Sequence, residues 1–376
     1  MRGVLLRASL SLALALAGCS GKSGDSIVVG HVASMTGDTA TFGRSADQGM
    51  RMAIEELNAK GGVLGKKLEL VTEDDRSVTE EARTAAQKLL QRDRVIALLG
   101  EVASSRSLAA APEAERAKVP MISPGSTNPK VTEGKEYVFR ACFIDPFQGA
   151  VMAKFAASEL HAKRLAILFD FKQDYSVGLA DFFRETAKKL GAEIVADERY
   201  TSGDIEFRAQ LTTIRAANPD AIFVPGYYTE VGLIAKQARE LGINVPLLGG
   251  DGWDSEKTTE IGGEAVEGYY FSTHYAADSS DPRVQEFVSR FKTKYGDSPD
   301  AMAALGYDTA GILADALGRA GTTDGEKLRD AIAATKNFDG VTGKISIDEH
   351  HNARKDAVVL KIEGGKFRFY RTVSAE

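Results

Sequence analysis

Cysteine is nearly absent from this chain of 376 residues, where only Cys19 and Cys142 occur. That excludes a disulfide-built scaffold and leaves no Cys-x-x-Cys pair for zinc or dithiol chemistry. Histidine is scarce as well: of five, only His350 and His351 are neighbours, and adjacent side chains point apart on a strand or a helix, so they form no metal site. Charge of one sign is lacking. Lys and Arg number 47 against 53 Asp and Glu, a formal net charge of −6 spread along the chain, which excludes a nucleic-acid footprint. Beyond the N-terminus no apolar run approaches the roughly 20 residues of a membrane-spanning helix.

Catalytic signatures are missing too, with no Gly-x-Ser-x-Gly elbow and no His-Glu-x-x-His helix. Gly61-Gly62-Val63-Leu64-Gly65-Lys66-Lys67 is one residue short of a phosphate loop and has Lys67 where a hydroxyl must meet Mg²⁺. Gly250-Asp251-Gly252-Trp253-Asp254-Ser255 ends in Ser where a dinucleotide fingerprint needs Gly. Asp74-Asp75 has no His or third carboxylate beside it in sequence and reads as a structural turn. The expectation is a chain without cofactor, metal or catalysis.

What is present begins with a leader. Arg2 and Arg7 precede the apolar run Ala8 to Ala17, and Leu16-Ala17-Gly18-Cys19 follows with small residues, the layout of a secretory signal peptide. The last four residues resemble the bacterial lipobox, which implies lipidation at Cys19 and a leader spanning 1–19. Cys142 then has no intrachain partner and reads as a buried small hydrophobe. Residues 20–26, polar and rich in Gly and Ser, read as a flexible tether, with the fold starting at Ile27.

The remaining chain has 43% apolar content overall and is long enough for two domains. Short apolar runs recur at Ile27–Val32, 67–71, 95–99, 119–123, 165–169, 192–195, 221–224, 246–249 and 269–272. Between them lie helical patterns such as Met50, Ile54 and Leu57 ahead of Gly61, and Val231, Ile234, Ala238 and Leu241 ahead of Gly242. Ser77-Val78-Thr79-Glu80 reads as a capping box. This β-α-β-α rhythm predicts an α/β fold of parallel sheets covered on both faces. The strands are too many for one comfortable sheet, and Ile144-Asp145-Pro146-Phe147 suits a crossover, so two doubly wound, Rossmann-like lobes are expected.

Ligands of open parallel sheets collect beyond the carboxyl ends of the strands. There the sequence places Ser104, at a predicted helix start that favours an anion, then Gly125, Ser126 and Thr127 after the next strand. The second half places Tyr175, Tyr227 and Asp251 with Trp253 at equivalent positions. Hydroxyls and N–H groups on one lobe facing an acid and aromatic walls on the other suit a zwitterion, an α-amino acid. Helix capping is the simpler account of either Ser/Thr turn alone, finding both after adjacent strands shifts the balance, and surface packing is the alternative for Tyr175.

The order of these motifs resembles the leucine/isoleucine/valine-binding proteins, the amino-acid branch of the type I periplasmic solute-binding family. The likeness rests on Ser34-Met35-Thr36-Gly37 with Phe42-Gly43, Asn58 to Gly65, Asp74-Asp75, Ser123 to Pro129 and Pro225-Gly226-Tyr227. It implies an extracytoplasmic, non-enzymatic component of an ABC importer, periplasmic or at the cell surface; with the lipobox-like Cys19, anchoring to a membrane by lipid alone is expected. Its expected partners are an amino acid, aliphatic or branched by default, and an ABC permease. By the resemblance the carboxylate meets Ser104, Gly125, Ser126 and Thr127, the ammonium meets Asp251, and Phe42, Tyr175 and Tyr227 stand in the cleft. It further implies a three-strand hinge crossing near Asp145, Tyr275 and Asp348, with lobe 1 formed by 27–145 plus 275–348 and lobe 2 by 146–274 plus 349–376. Some members carry a disulfide whose partners fall near Ser77 and Ala103, so the loop before Ser104 is expected to be less constrained here. A same-fold receptor for an amide, short peptide or aromatic acid is the alternative; a secreted α/β enzyme is more remote.

Overall fold

The structure, a computed structural model, describes residues 26–375. The leader, Cys19 and the tether before Ser26 lie outside the described residues. The first sheet comprises β1 (Ser26–Ala33), β2 (Lys67–Asp74), β3 (Leu98–Leu99), β4 (Met121–Ser123) and β5 (Val138–Arg140), with α1 (Ala40–Ala59), α2 (Thr79–Gln91) and α3 (Ser104–Ala117) between them. Its strands are all parallel, in the order β2-β1-β3-β4-β5. Alternation along each strand sends successive side chains to opposite faces. Leu99, Ile122 and Phe139 therefore pack on one side with Met50 of α1, while Leu98, Met121 and Val138 pack on the other with Leu89 of α2 and Ala114 of α3.

After β5 the chain passes through Ala141–Ile144 into α4 (Asp145–Ser158) and a second sheet. Its strands β6 (Arg164–Asp170), β7 (Glu193–Tyr200), β8 (Ala221–Phe223), β9 (Leu247–Gly249) and β10 (Tyr270–Thr273) alternate with α5 (Asp174–Lys189), α6 (Arg208–Ala217), α7 (Tyr228–Glu240) and α8 (Glu256–Gly262). The same alternation places Ile222 and Leu247 against α6 and α7, and Ala221, Phe223 and Leu248 against α4 and α5.

From β10 the chain returns through His274–Ala277 to the first sheet, adding α9 (Pro282–Tyr295), α10 (Ala301–Ala320), α11 (Gly325–Ala333) and a small antiparallel sheet of β11 (Phe338–Gly340), β12 (Gly343–Ile347) and β13 (Ala353–Arg354). The helix α10 lies tightly on α1, because Gly49 and Gly306 face backbone that a Cβ would strike. A third passage leads to β14 (Ala357–Glu363) and β15 (Lys366–Val373), which join the edge of the second sheet.

Three expectations need correction. The second sheet is not wholly parallel, because β14 and β15 form an antiparallel hairpin on β10. The third passage falls between Arg354 and Ala357, after β12 and β13 have paired, and not near Asp348. The capping box at Ser77 does not form: α2 begins one residue later with Val78 as its N-cap, and the Ser77 hydroxyl instead meets the Thr36 carbonyl at 3.1 Å and the Thr39 amide at 3.2 Å.

Candidate functional site

Loops leaving the carboxyl ends of strands from both sheets converge on one cavity. Its walls are Phe42, Val102, Ser104, Gly125 and Met302 from the first-sheet side and Tyr175, Tyr227, Asp251 and Gly252 from the second. The two sides also touch directly. Ser105 Oγ donates to Asp174 Oδ2 at 2.8 Å, Asn128 Nδ2 to the Asp174 carbonyl at 2.7 Å, and Ser255 Oγ to Thr41 Oγ1 at 3.1 Å.

On the first side, Ser104 opens α3, where backbone N–H groups lack helical partners and the dipole favours negative charge. Its Oγ accepts from the Asn128 amide at 3.2 Å, which leaves the hydroxyl proton to donate elsewhere. Gly125 keeps the same wall thin: a Cβ there would sit 3.0 Å from Val102 Cγ1 and 3.1 Å from Met302 Sδ.

On the second side the aromatics form a continuous wall. Tyr175 and Tyr227 stack at 5.3 Å and 11°, and Phe42 meets Tyr227 edge-on at 5.9 Å and Tyr228 at 4.9 Å. The Tyr175 oxygen accepts from the Gly252 amide at 3.1 Å. Burial, reinforced at Tyr175 by the Asp251 carboxylate, pushes both phenols above their usual range and keeps them protonated. Asp251 is 2% exposed; its Oδ1 accepts from Gln148 Nε2 at 3.0 Å and its Oδ2 bonds His274 Nε2 at 2.9 Å. The His274 ring stacks on Phe143 at 3.8 Å, and burial holds this imidazole below its usual range, hence neutral. Among the described residues Asp251 has no Lys or Arg partner, and His274 is its sole ion-pair neighbour.

Six of the eight expected residues, Phe42, Ser104, Gly125, Tyr175, Tyr227 and Asp251, thus share one cavity. Ser126 does not reach it: its hydroxyl is engaged by the Glu101 and Val102 carbonyls at 2.9 and 3.0 Å and by Ser107 Oγ at 2.7 Å. Thr127 is also absent from the wall, and its buried hydroxyl faces the Asp145 carboxyl. Trp253 turns away into the second lobe's core and donates Nε1–H to the Val224 carbonyl at 2.9 Å.

The loop before Ser104 is not loose. Arg106 Nε lies 3.0 Å from Glu101 Oε2 and its Nη1 3.4 Å from the Ser77 carbonyl, while the Ala103 amide donates to Glu101 Oε2 at 2.6 Å. An ionic network thereby spans the two loops around Ser77 and Ala103. Sequence reasoning missed Gln148, His274, Val102, Gly252 and Met302; His274 directly follows β10, so the strand-end rule applied to every strand finds it.

Comparison with known proteins identifies the family. A family model described as periplasmic binding protein matches residues 26–366. A leucine-, isoleucine-, valine-, threonine- and alanine-binding protein of Pseudomonas aeruginosa is 32% identical over 351 residues, 93% of each chain. A leucine-binding protein of Thermotoga maritima superposes with a TM-score of 0.88 at 46% identity, covering 93% of this chain and 99% of that one. A branched-chain amino acid transporter substrate-binding protein of Streptococcus pneumoniae, solved with isoleucine, superposes with a TM-score of 0.88 at 35% identity, over 93% and 99% of the two chains. With two doubly wound sheets, a chain that passes between them three times and strand-end loops meeting at one cavity, this chain belongs to the periplasmic binding protein family and has its type I fold.

Proposed function

We propose that this chain is the extracytoplasmic substrate-binding component of an ABC importer and that it captures an α-amino acid, aliphatic or branched-chain, between its lobes. The observation that carries the ligand class is Asp251, a buried carboxylate facing the cavity and held only by neutral donors. A buried charge is costly unless paired, and an α-ammonium supplies the pairing charge. Ser104 at the start of α3 and the thin wall at Gly125 receive the carboxylate from the other side. Phe42, Val102 and Met302 offer the side chain an apolar wall. The names of the relatives, which bind leucine, isoleucine and similar amino acids, support this class.

In this reading lobe 1 comprises 27–145 plus 275–348 and the residues up to Arg354, and lobe 2 the remainder. Ligand contacts made on both lobes favour the closed form, and a membrane permease recognises closure. No chemistry is done on the ligand. Cys19 is lipidated after removal of the leader and tethers the binding protein to a membrane surface. The test is thermal unfolding of the mature chain against the twenty amino acids and a set of amides, short peptides and aromatic acids, because a ligand of the folded state alone raises the midpoint with its concentration. Shifts confined to aliphatic amino acids are expected. Shifts with aromatic acids or amides and none with amino acids would overturn the ligand class.

A further inference from the structure

Asp251 is gripped from two of the places where the chain passes between lobes. Gln148 stands in the first turn of α4, directly after the passage through Ala141–Ile144. His274 opens the passage that follows β10. Both side chains are buried, with Gln148 0% and His274 1% exposed. The two passages are themselves joined, since Phe143 of the first stacks on His274 of the second at 3.8 Å and 28°.

We propose that His274 and Gln148 are positioning residues for ligand capture, which hold the Asp251 carboxylate in one orientation for an incoming ammonium without neutralising it. The inference rests on the amino-acid reading above. Each donor takes a different carboxylate oxygen, at 3.0 Å from Gln148 Nε2 and 2.9 Å from His274 Nε2, so the plane of the group is set from both ends. A carboxylate offers about four acceptor sites, so two remain for a ligand. His274 Nδ1 has no hydrogen-bond partner among the described residues, so the carboxylate alone selects the tautomer that donates from Nε2. Cationic partners in these two places would supply the countercharge and remove the reason to bind an amine. Neutral donors supply direction and leave the charge for the ligand, which is how a supporting shell preorganises a binding group. Because these donors stand at the passages between lobes, the orientation of Asp251 is also tied to how the lobes meet.

The test is calorimetric titration of the mature chain with leucine and with 4-methylpentanoate, the same molecule without the amine, taken to millimolar concentration. The variants are His274→Phe, which keeps the stacking ring and loses the donor, His274→Gln, which keeps an amide donor, and Gln148→Leu. His274→Phe and Gln148→Leu are each expected to weaken leucine binding about 10- to 100-fold, as for a lost hydrogen bond to a charged group. Binding of 4-methylpentanoate should stay within about threefold of wild type, and His274→Gln should recover most of the leucine affinity. Equal losses for both ligands, no loss for leucine, or a His274→Gln variant no better than His274→Phe would overturn the positioning role and leave the amino-acid reading intact. A wild type that does not distinguish the two ligands would remove the amino-acid reading and this inference together. Should His274→Phe fail to fold, Gln148→Leu decides by the same criteria.

Discussion

Two buried acidic centres flank the cavity, one on each side, and they are built differently. In the first lobe Asp75 and Glu101 share Arg106, whose Nε lies 3.9 Å from Asp75 Oδ1 and 3.0 Å from Glu101 Oε2 and whose Nη2 donates to Thr39 Oγ1 at 2.6 Å. Ser34 Oγ adds a 2.6 Å bond to Asp75. In the second lobe Asp251 has two neutral donors and no cation. The difference separates structure from function. A centre that contains its own cation is complete and pins the loops it joins; a centre with directed acceptors and no cation is completed by what enters.

Removing Arg106 should therefore produce the largest effect. Arg106→Leu leaves the buried Asp75 and Glu101 carboxyls without a countercharge, and a stability loss of about 3–5 kcal/mol is expected in chemical denaturation. A loss under about 1 kcal/mol would mean that the first centre is not held together by its ion pairs. Asp251→Ala should do the reverse: leucine affinity falls about 100-fold, while the unfolding midpoint without ligand stays near wild type or rises. Unchanged affinity in a folded variant would remove Asp251 from the site.

The comparison can be sharpened by pH. Burial, and then Glu101, push Asp75 up to about 7, while burial, and then Asp300, push Asp254 up to about 8, both from 3.8. Between these values the folded chain holds protons that the unfolded chain has released, so stability declines as pH rises. The contribution is complete below 3.8 and is lost as pH climbs through about 7 for Asp75 and about 8 for Asp254. Asp75→Asn or Asp254→Asn should each remove its share of this decline from the pH dependence of the thermal midpoint. Asn variants whose midpoints vary with pH as the wild type's does would contradict the raised values. The smallest effect is expected at Ser126, whose hydroxyl serves the loop backbone and not the cavity: Ser126→Ala should cost about 1 kcal/mol of stability and leave leucine affinity unchanged.

Much of this site was legible in the sequence because one rule, that ligands gather beyond strand carboxyl ends, needs only the strand positions. It found Ser104, Gly125, Tyr175, Tyr227 and Asp251. It could not separate Ser126 from Gly125, since one step along the backbone turns a side chain from the cavity to the loop behind it. Trp253, two residues after Asp251, is carried by the 3₁₀ turn of 251–253 away from the cavity and into the core. Met302 was beyond the rule's reach because it arrives from α10, whose approach depends on the glycine contacts with α1. The antiparallel β14–β15 hairpin escaped because it follows the last passage between lobes, where the β-α alternation has already stopped. Arg106 stands in the first turn of α3, and only the meeting of the loops shows its two acidic partners.

The most direct test of the central claim is a titration of the wild-type chain with the amino acid that gives the largest thermal shift, with its deaminated acid and with its amide. The account predicts binding at least about 100-fold weaker when either the amine or the carboxylate is masked. Comparable binding of the deaminated acid would contradict it, because Asp251 would then have no charge to meet.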